Sequence, residues 1–217
     1  MNVIVYVEGE GDKACLGTLL RGLVDRLATA GTLVRFVPTK RGDRKATLLR
    51  DGPKNAAKMI VNAPDSFVVL LPDLYPPNKE FPHSTCSELQ TRVRQMFEKE
   101  VAQKSDPDER LRGRFQAFCL IHDLECIVLA AEESLLSDRR LKTRDWTTPV
   151  EAQNHGNPPK RVVERIFHAS GSTYDSRVDG PRILANADYK LIAERCPNGF
   201  GRFVTFLESF ASESTLQ

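Results

Sequence analysis

Three acids stand where short apolar runs end: Glu8 closes the run Val3 to Val7, Asp73 follows Ser66 to Leu71 after a single proline, and Glu125 lies just beyond Arg114 to Ile121. Such β-branched and aromatic runs read as buried strands. In a parallel α/β sheet, reactive groups collect beyond the carboxyl ends of the strands. Carboxylates gathered there repel one another unless a hard cation sits among them. The pattern therefore points to a magnesium or manganese site with Glu8, Asp73 and Glu125 as oxygen ligands. His122, three residues before Glu125, would share a helical face with it and adds a nitrogen ligand. The same residues admit structural roles. Asp73 suits the start of an Asp-x-x-Pro-Pro turn, Asp123 the N-cap of the helix after it, and His122 a satisfied packing position.

The stretch Glu8-Gly9-Glu10-Gly11-Asp12 imitates a phosphate-binding glycine loop without its chemistry. It lacks the Lys-Ser/Thr pair, and its acids would repel phosphate. Asp12 is either a helix N-cap or a member of the site. Positive charge is concentrated further on: from Arg35 to Lys58 there are eight basic residues against Asp43 and Asp51, a local charge of +6. Within that run Lys40, Arg41, Arg44 and Lys45 are the candidate nucleic-acid contacts, lying in the connection that leads back to the acidic edge. A solvated face is the alternative. Further clusters are Arg110, Arg112 and Arg114, then Arg139, Arg140, Lys142 and Arg144. Few aromatics intersperse them, so base stacking along a single strand is not signalled.

The elements that must position these groups follow from periodicity. A strand over 3–7 is expected to lead into a helix over 13–30, capped by Asp12 and stopped at Gly31, then a strand over 33–37 closed by Pro38. Thr39 to Asp51 reads as a polar loop or exposed helix. Pro53 suits the first turn of a helix reaching Asn62, and the third strand is 66–71. Three strands with two helical connections imply a parallel sheet with right-handed crossovers. Helices are expected at 89–101, over Cys126 to Ala131, and at 159–169, 186–195 and 200–210, with a polar loop at 106–114 and a fourth strand at 114–121. Residues 1–136 form the α/β core in this division, and 137–217 a helical elaboration packed on it. The stretch 137–156 shows no period.

Composition bounds the partners. The chain has 217 residues, 41% apolar and 28% charged, the usage of an ordinary globular domain. With 31 basic and 29 acidic residues the net charge is +2, too balanced to attract a polyanion except locally. Five scattered cysteines never form a CxxC pair, so they read as buried thiols, Cys119 and Cys126 above all. No apolar run approaches the ~20 residues of a membrane span, and acids interrupt the start before a signal region forms, so a cytoplasmic protein with no membrane partner is expected.

Five short motifs occur in order: Val-Glu-Gly at 7–9, Pro-Asp-Leu-Tyr at 72–75, His-Asp-Leu-Glu-Cys at 122–126, Pro-Pro-Lys-Arg at 158–161 and Ile-Ala-Glu-Arg-Cys-Pro at 192–197. Together they resemble the TOPRIM-related domain-of-unknown-function proteins, often encoded beside ABC-type or SMC-like ATPases and distantly related to the overcoming-lysogenization-defect nucleases. The resemblance implies a TOPRIM-like (Rossmann-like), mostly parallel sheet flanked by helices. It places Glu8 at the TOPRIM glutamate and Asp73 at the first Asp of the Asp-x-Asp pair. Tyr75 stands where the second Asp would be, and His122 with Glu125 would supply the missing ligand. Lys160 and Arg161 would face a scissile phosphate, with Glu8 as ligand or general acid/base. The implied function is a metal-dependent nuclease or phosphoryl-transfer subunit acting on DNA or RNA, in phage defence beside an ATPase partner. The alternative, supported by Tyr75, is a catalytically inert module for that ATPase.

Overall fold

The computed structural model describes residues 1–39, 44–63, 65–79, 81–103, 109–153 and 155–213. Among these residues four strands, β1 (Asn2–Val7), β2 (Leu33–Pro38), β3 (Ser66–Leu71) and β4 (Phe115–Ala117), lie in the order β2-β1-β3-β4, and every neighbouring pair is parallel. Parallel strands covered on both faces need apolar residues on both faces, which is why β3 reads as the unbroken run Phe67 to Leu71. Val69 and Leu71 join one core with Val3, Val5 and Val7, while Val68 and Leu70 point into a second. The chain moves from β1 to one neighbour and returns to the other, so the order reverses between β1 and β3. Val7 lies opposite Leu71 in that pair, and the residues after them emerge side by side.

Among the described residues the helices are α1 (Glu10–Leu19), α2 (Arg21–Thr29), α3 (Arg44–Asn62), α4 (Cys86–Ala102), α5 (Glu109–Arg112), α6 (Glu125–Ala130), α7 (Glu132–Arg139), α8 (Pro159–Ala169), α9 (Asp179–Leu184), α10 (Tyr189–Arg195) and α11 (Phe200–Glu213), with a 3-10 turn at Val150–Ala152. The first core holds α1 and α2 residues together with Ile127, Val163, Phe167 and Phe203, so the C-terminal helices share one apolar cluster with the sheet. The second is built by α3 and α4, with Phe97 stacked on Phe115 at 4.2 Å. Among the described residues no helix is long and apolar enough to cross a membrane.

Several boundaries differ from the expectation. The helix expected over 13–30 is two helices hinged at Leu20, whose φ of −93° and ψ of 9° leave the α region. Leu16, Leu20, Leu23 and Leu27 are all buried on the same core, so the apolar period runs through the joint and hides it. Asp12 is not the N-cap. Gly9 holds that position, and Asp12 accepts the Gly9 N–H at 2.6 Å from inside the first turn. Pro53 lies inside α3, which begins at Arg44. The β4 ladder stops at Ala117, and beyond it Asp73 and Leu120 form a single bridge. The reading of Cys119 as a free thiol is also corrected: it is joined to Cys86 at the start of α4, whereas Cys15, Cys126 and Cys196 are buried thiols.

Candidate active site

Backbone hydrogen bonds lace the segment after β3 to the segment after β4. Leu120 donates to the Pro72 carbonyl at 2.9 Å, Leu74 to Leu120 at 2.7 Å and Tyr75 to His122 at 2.8 Å. Asp73 is thereby set beside His122, Asp123 and Glu125, 50 residues later in the chain. From the other side, Glu8 Oε1 accepts the Asp73 N–H at 3.0 Å. The carboxyl ends of three strands thus deliver Glu8, Asp73 and Glu125 to one cavity of about 570 Å³, which Asp123, Lys160 and Arg161 also line. Its remaining wall is made by the rings of Tyr75, His122 and His155, by prolines 76, 77 and 158, and by Glu164.

His122 turns the chain sharply into α6 and has a φ of 77°, a left-handed conformation uncommon for a residue with a side chain. It is only 1% exposed. Its Nε2 lies 3.2 Å from the Glu151 carbonyl, and its Nδ1 has no hydrogen-bond partner among the described residues. Glu151 is itself anchored: its carboxylate accepts the N–H of Asn198 at 2.9 Å, the Asn198 side chain at 3.0 Å and the N–H of Gly199 at 2.7 Å. The Cys-Pro-Asn-Gly segment near the C-terminus therefore braces His122 through Glu151.

The acids repel one another in a poorly solvated space. Burial, then the charges of Glu8, Asp12, Asp123 and Glu125, hold the Asp73 carboxyl well above the usual range. Burial pushes Glu125 up to about 7, with Asp123 adding to it and Lys160 opposing. Burial likewise raises Asp123 to about 6, against the N–H and charge of Lys160 and the N–H groups that open α6. Asp12 rises to about 6 for the same first reason, while the Gly9 N–H, Arg44 and Lys160 pull it down. Asp12 thus belongs electrically to the site as well as to the start of α1. Burial also lowers His122, the Glu151 carbonyl opposing.

The basic residues divide. Lys160 and Arg161, exposed in the first turn of α8, stand on the cavity as expected, with Arg161 also reaching the Gly156 carbonyl at 3.3 Å. Arg44 lies over Gly9, its Nη1 2.7 Å from where a side chain there would begin. Lys45 is not on an exposed phosphate track. It is 6% exposed and donates to the Pro76 carbonyl at 2.6 Å, tying α3 to the loop after β3. Lys40 and Arg41 lie outside the described residues. Arg139 and Arg144 are engaged by Asp138 and Glu132.

The donor set suits a hard divalent cation in kind: five carboxyls whose mutual repulsion a cation would relieve, with Asp123 Oδ1 and His122 Nδ1 buried and without a hydrogen-bond partner among the described residues. Among the described residues no group of three such ligands is gathered closely enough to hold a metal ion. Sequence reasoning missed Glu151, Gly199 and the ring wall. Glu151 and His155 fall in or beside a stretch without period, and no local signal links them to residues about 30 to 80 positions away.

The family model described as a domain of unknown function, DUF4276, matches residues 7–208, and the chain belongs to that family. No curated protein and no solved structure matches it.

Proposed function

We propose that this DUF4276 member is a TOPRIM-like, magnesium- or manganese-dependent nuclease or phosphoryl-transfer subunit acting on nucleic acid. The observation that carries the reading is the meeting of Glu8 and Asp73 at the point where the strand order reverses, with Asp123 and Glu125 in the same electric field. Glu8, Asp73, Glu125 and His122 are the residues that would hold the cation. His122 is oriented for this through its Nε2, as metal-binding histidines commonly are. A bound divalent cation supplies Lewis-acid polarisation of a phosphodiester and a more acidic water. Lys160 and Arg161 place positive charge where the phosphate would enter, offsetting the acids and stabilising charge that develops on the phosphoryl oxygens. Glu8, fixed by the Asp73 N–H, stays aimed at the cavity as ligand or general acid/base.

Incubation of supercoiled plasmid and single-stranded oligonucleotides with magnesium or manganese tests the reading. Wild type is expected to nick or shorten one of them and Asp73→Asn to leave both intact. Equal activity of the two proteins would reject it.

A second reading is favoured by Tyr75 at the second acidic position and by the separation of the ligands: a catalytically inert module that docks on an ABC-type or SMC-like ATPase, in phage defence. It predicts co-purification with such an ATPase, with no metal binding by this chain on its own.

A further inference from the structure

The ring wall of the acidic cavity takes a kind of ligand that acids and lysines do not. Tyr75 and His155 have their centroids 4.5 Å apart, and His122 lies 5.0 Å from His155 and 5.8 Å from Tyr75. His122 is buried, whereas His155 is exposed and Tyr75 half-buried, and all three line the cavity. The planes of Tyr75 and His155 are tilted by 58°, so the two rings are not stacked face to face on one another. Tyr75 is also held from several directions. Its N–H donates to His122, its hydroxyl to the Ser84 carbonyl at 3.4 Å, and the carbonyls on either side of it are held by His83 at 3.0 Å and Lys45 at 2.6 Å. A ring ordered in advance loses little freedom when a flat partner stacks on it.

Every nucleobase offers a π-face that can stack on an aromatic side chain, whatever the sequence. Inside a duplex both faces of a base are already covered, so such a wall accepts only a base that is unpaired or turned out of the stack. We propose that Tyr75 and His155 form a stacking platform for an unpaired nucleobase beside the phosphate held at Lys160 and Arg161, making single-stranded nucleic acid the substrate class. This rests on the nucleic-acid reading of the cavity.

The test is fluorescence anisotropy in calcium, with a labelled single strand of about a dozen nucleotides, within the usual site size of single-strand binders, in DNA and RNA forms, and a blunt duplex of the same sequence. Wild type is expected to bind a single strand at least about tenfold more tightly than the duplex, and Tyr75→Ala and the exposed His155→Ala to lose about tenfold on the single strand only. Tyr75→Phe, which keeps the ring, should bind as wild type. Unchanged single-strand affinity in both alanine variants, or a duplex bound as tightly as the single strand, would overturn the platform while leaving the nuclease reading intact. A wild type that binds none of the probes would overturn both.

Discussion

Glu8 Oε1 accepts the backbone N–H of Asp73 at 3.0 Å, joining the ends of β1 and β3 through one acid and the main chain of the next. The bond locks a like-charged pair in place, so geometry and electrostatics pull in opposite directions. Glu8→Gln keeps an acceptor oxygen and removes a charge, whereas Glu8→Ala leaves the Asp73 N–H without its partner. Denaturant unfolding should place Glu8→Ala about 1 to 3 kcal/mol below Glu8→Gln.

Removing the charge of Asp73 should stabilise the metal-free protein, because its carboxyl is raised by burial and by four neighbouring acids. A group whose folded pKa exceeds its unfolded value contributes stability below the unfolded pKa and loses it as pH rises through the folded one. Asp123 and Asp12 at about 6, and Glu125 at about 7, share that sign. The repulsion therefore grows from about pH 4 to about pH 7. Thermal unfolding of Asp73→Asn should match wild type near the acid end of that window and exceed it by roughly 0.5 to 2 kcal/mol at the neutral end. A constant difference across the window would contradict this.

Gly199 allows the C-terminal segment to lie on the chain that leads into His122. A methyl group there would sit 2.7 Å from the Cys119 carbonyl oxygen and 3.0 Å from the Ile121 nitrogen, both backbone atoms that cannot swing aside. Gly199→Ala should cost about 1 to 3 kcal/mol. Gly17, inside α1 with no atom of another described element within 4 Å of where its side chain would begin, is the control: Gly17→Ala should be neutral or stabilising by up to about 1 kcal/mol.

Much of this was legible from local pattern and some could not be. The apolar runs at 3–7 and 66–71 and the helix over 159–169 carry their own period, and an acid just past a strand in a parallel sheet has one place to go. That placed Glu8 and Asp73. The hinge at Leu20 left no trace because both helices bury the same leucine stripe. Lys45 looked exposed because its neighbours are basic, yet its stem is buried and its amine serves a carbonyl. Cys86 with Cys119, Glu151 with Gly199, and Tyr75 with His155 are tertiary pairings across 33 to 80 residues, and no spacing rule reaches that far.

Arg195, in the fifth sequence motif, has a structural assignment: it donates to the Ala130 carbonyl at 2.7 Å and pairs with Glu133 at 2.5 Å, its hydrogen bond holding that carboxyl down at about 2. A lowered carboxyl contributes stability above its unfolded pKa and loses it as pH falls from about 4.5 to about 2. Glu133 is 66% exposed, so the pair contributes at most about 1 kcal/mol. Arg195→Ala should flatten the acid side of the stability profile over that interval. Glu133→Gln should flatten it equally while keeping the Ala130 contact.

Calorimetric titration of magnesium and manganese into wild type and Asp73→Asn asks whether the gathered carboxyls hold a cation, before any substrate is chosen. Wild type is expected to show saturable binding that strengthens as the acids ionise, with proton release, and that disappears in Asp73→Asn. Binding of equal strength to both proteins, or none to wild type at neutral pH, would contradict it.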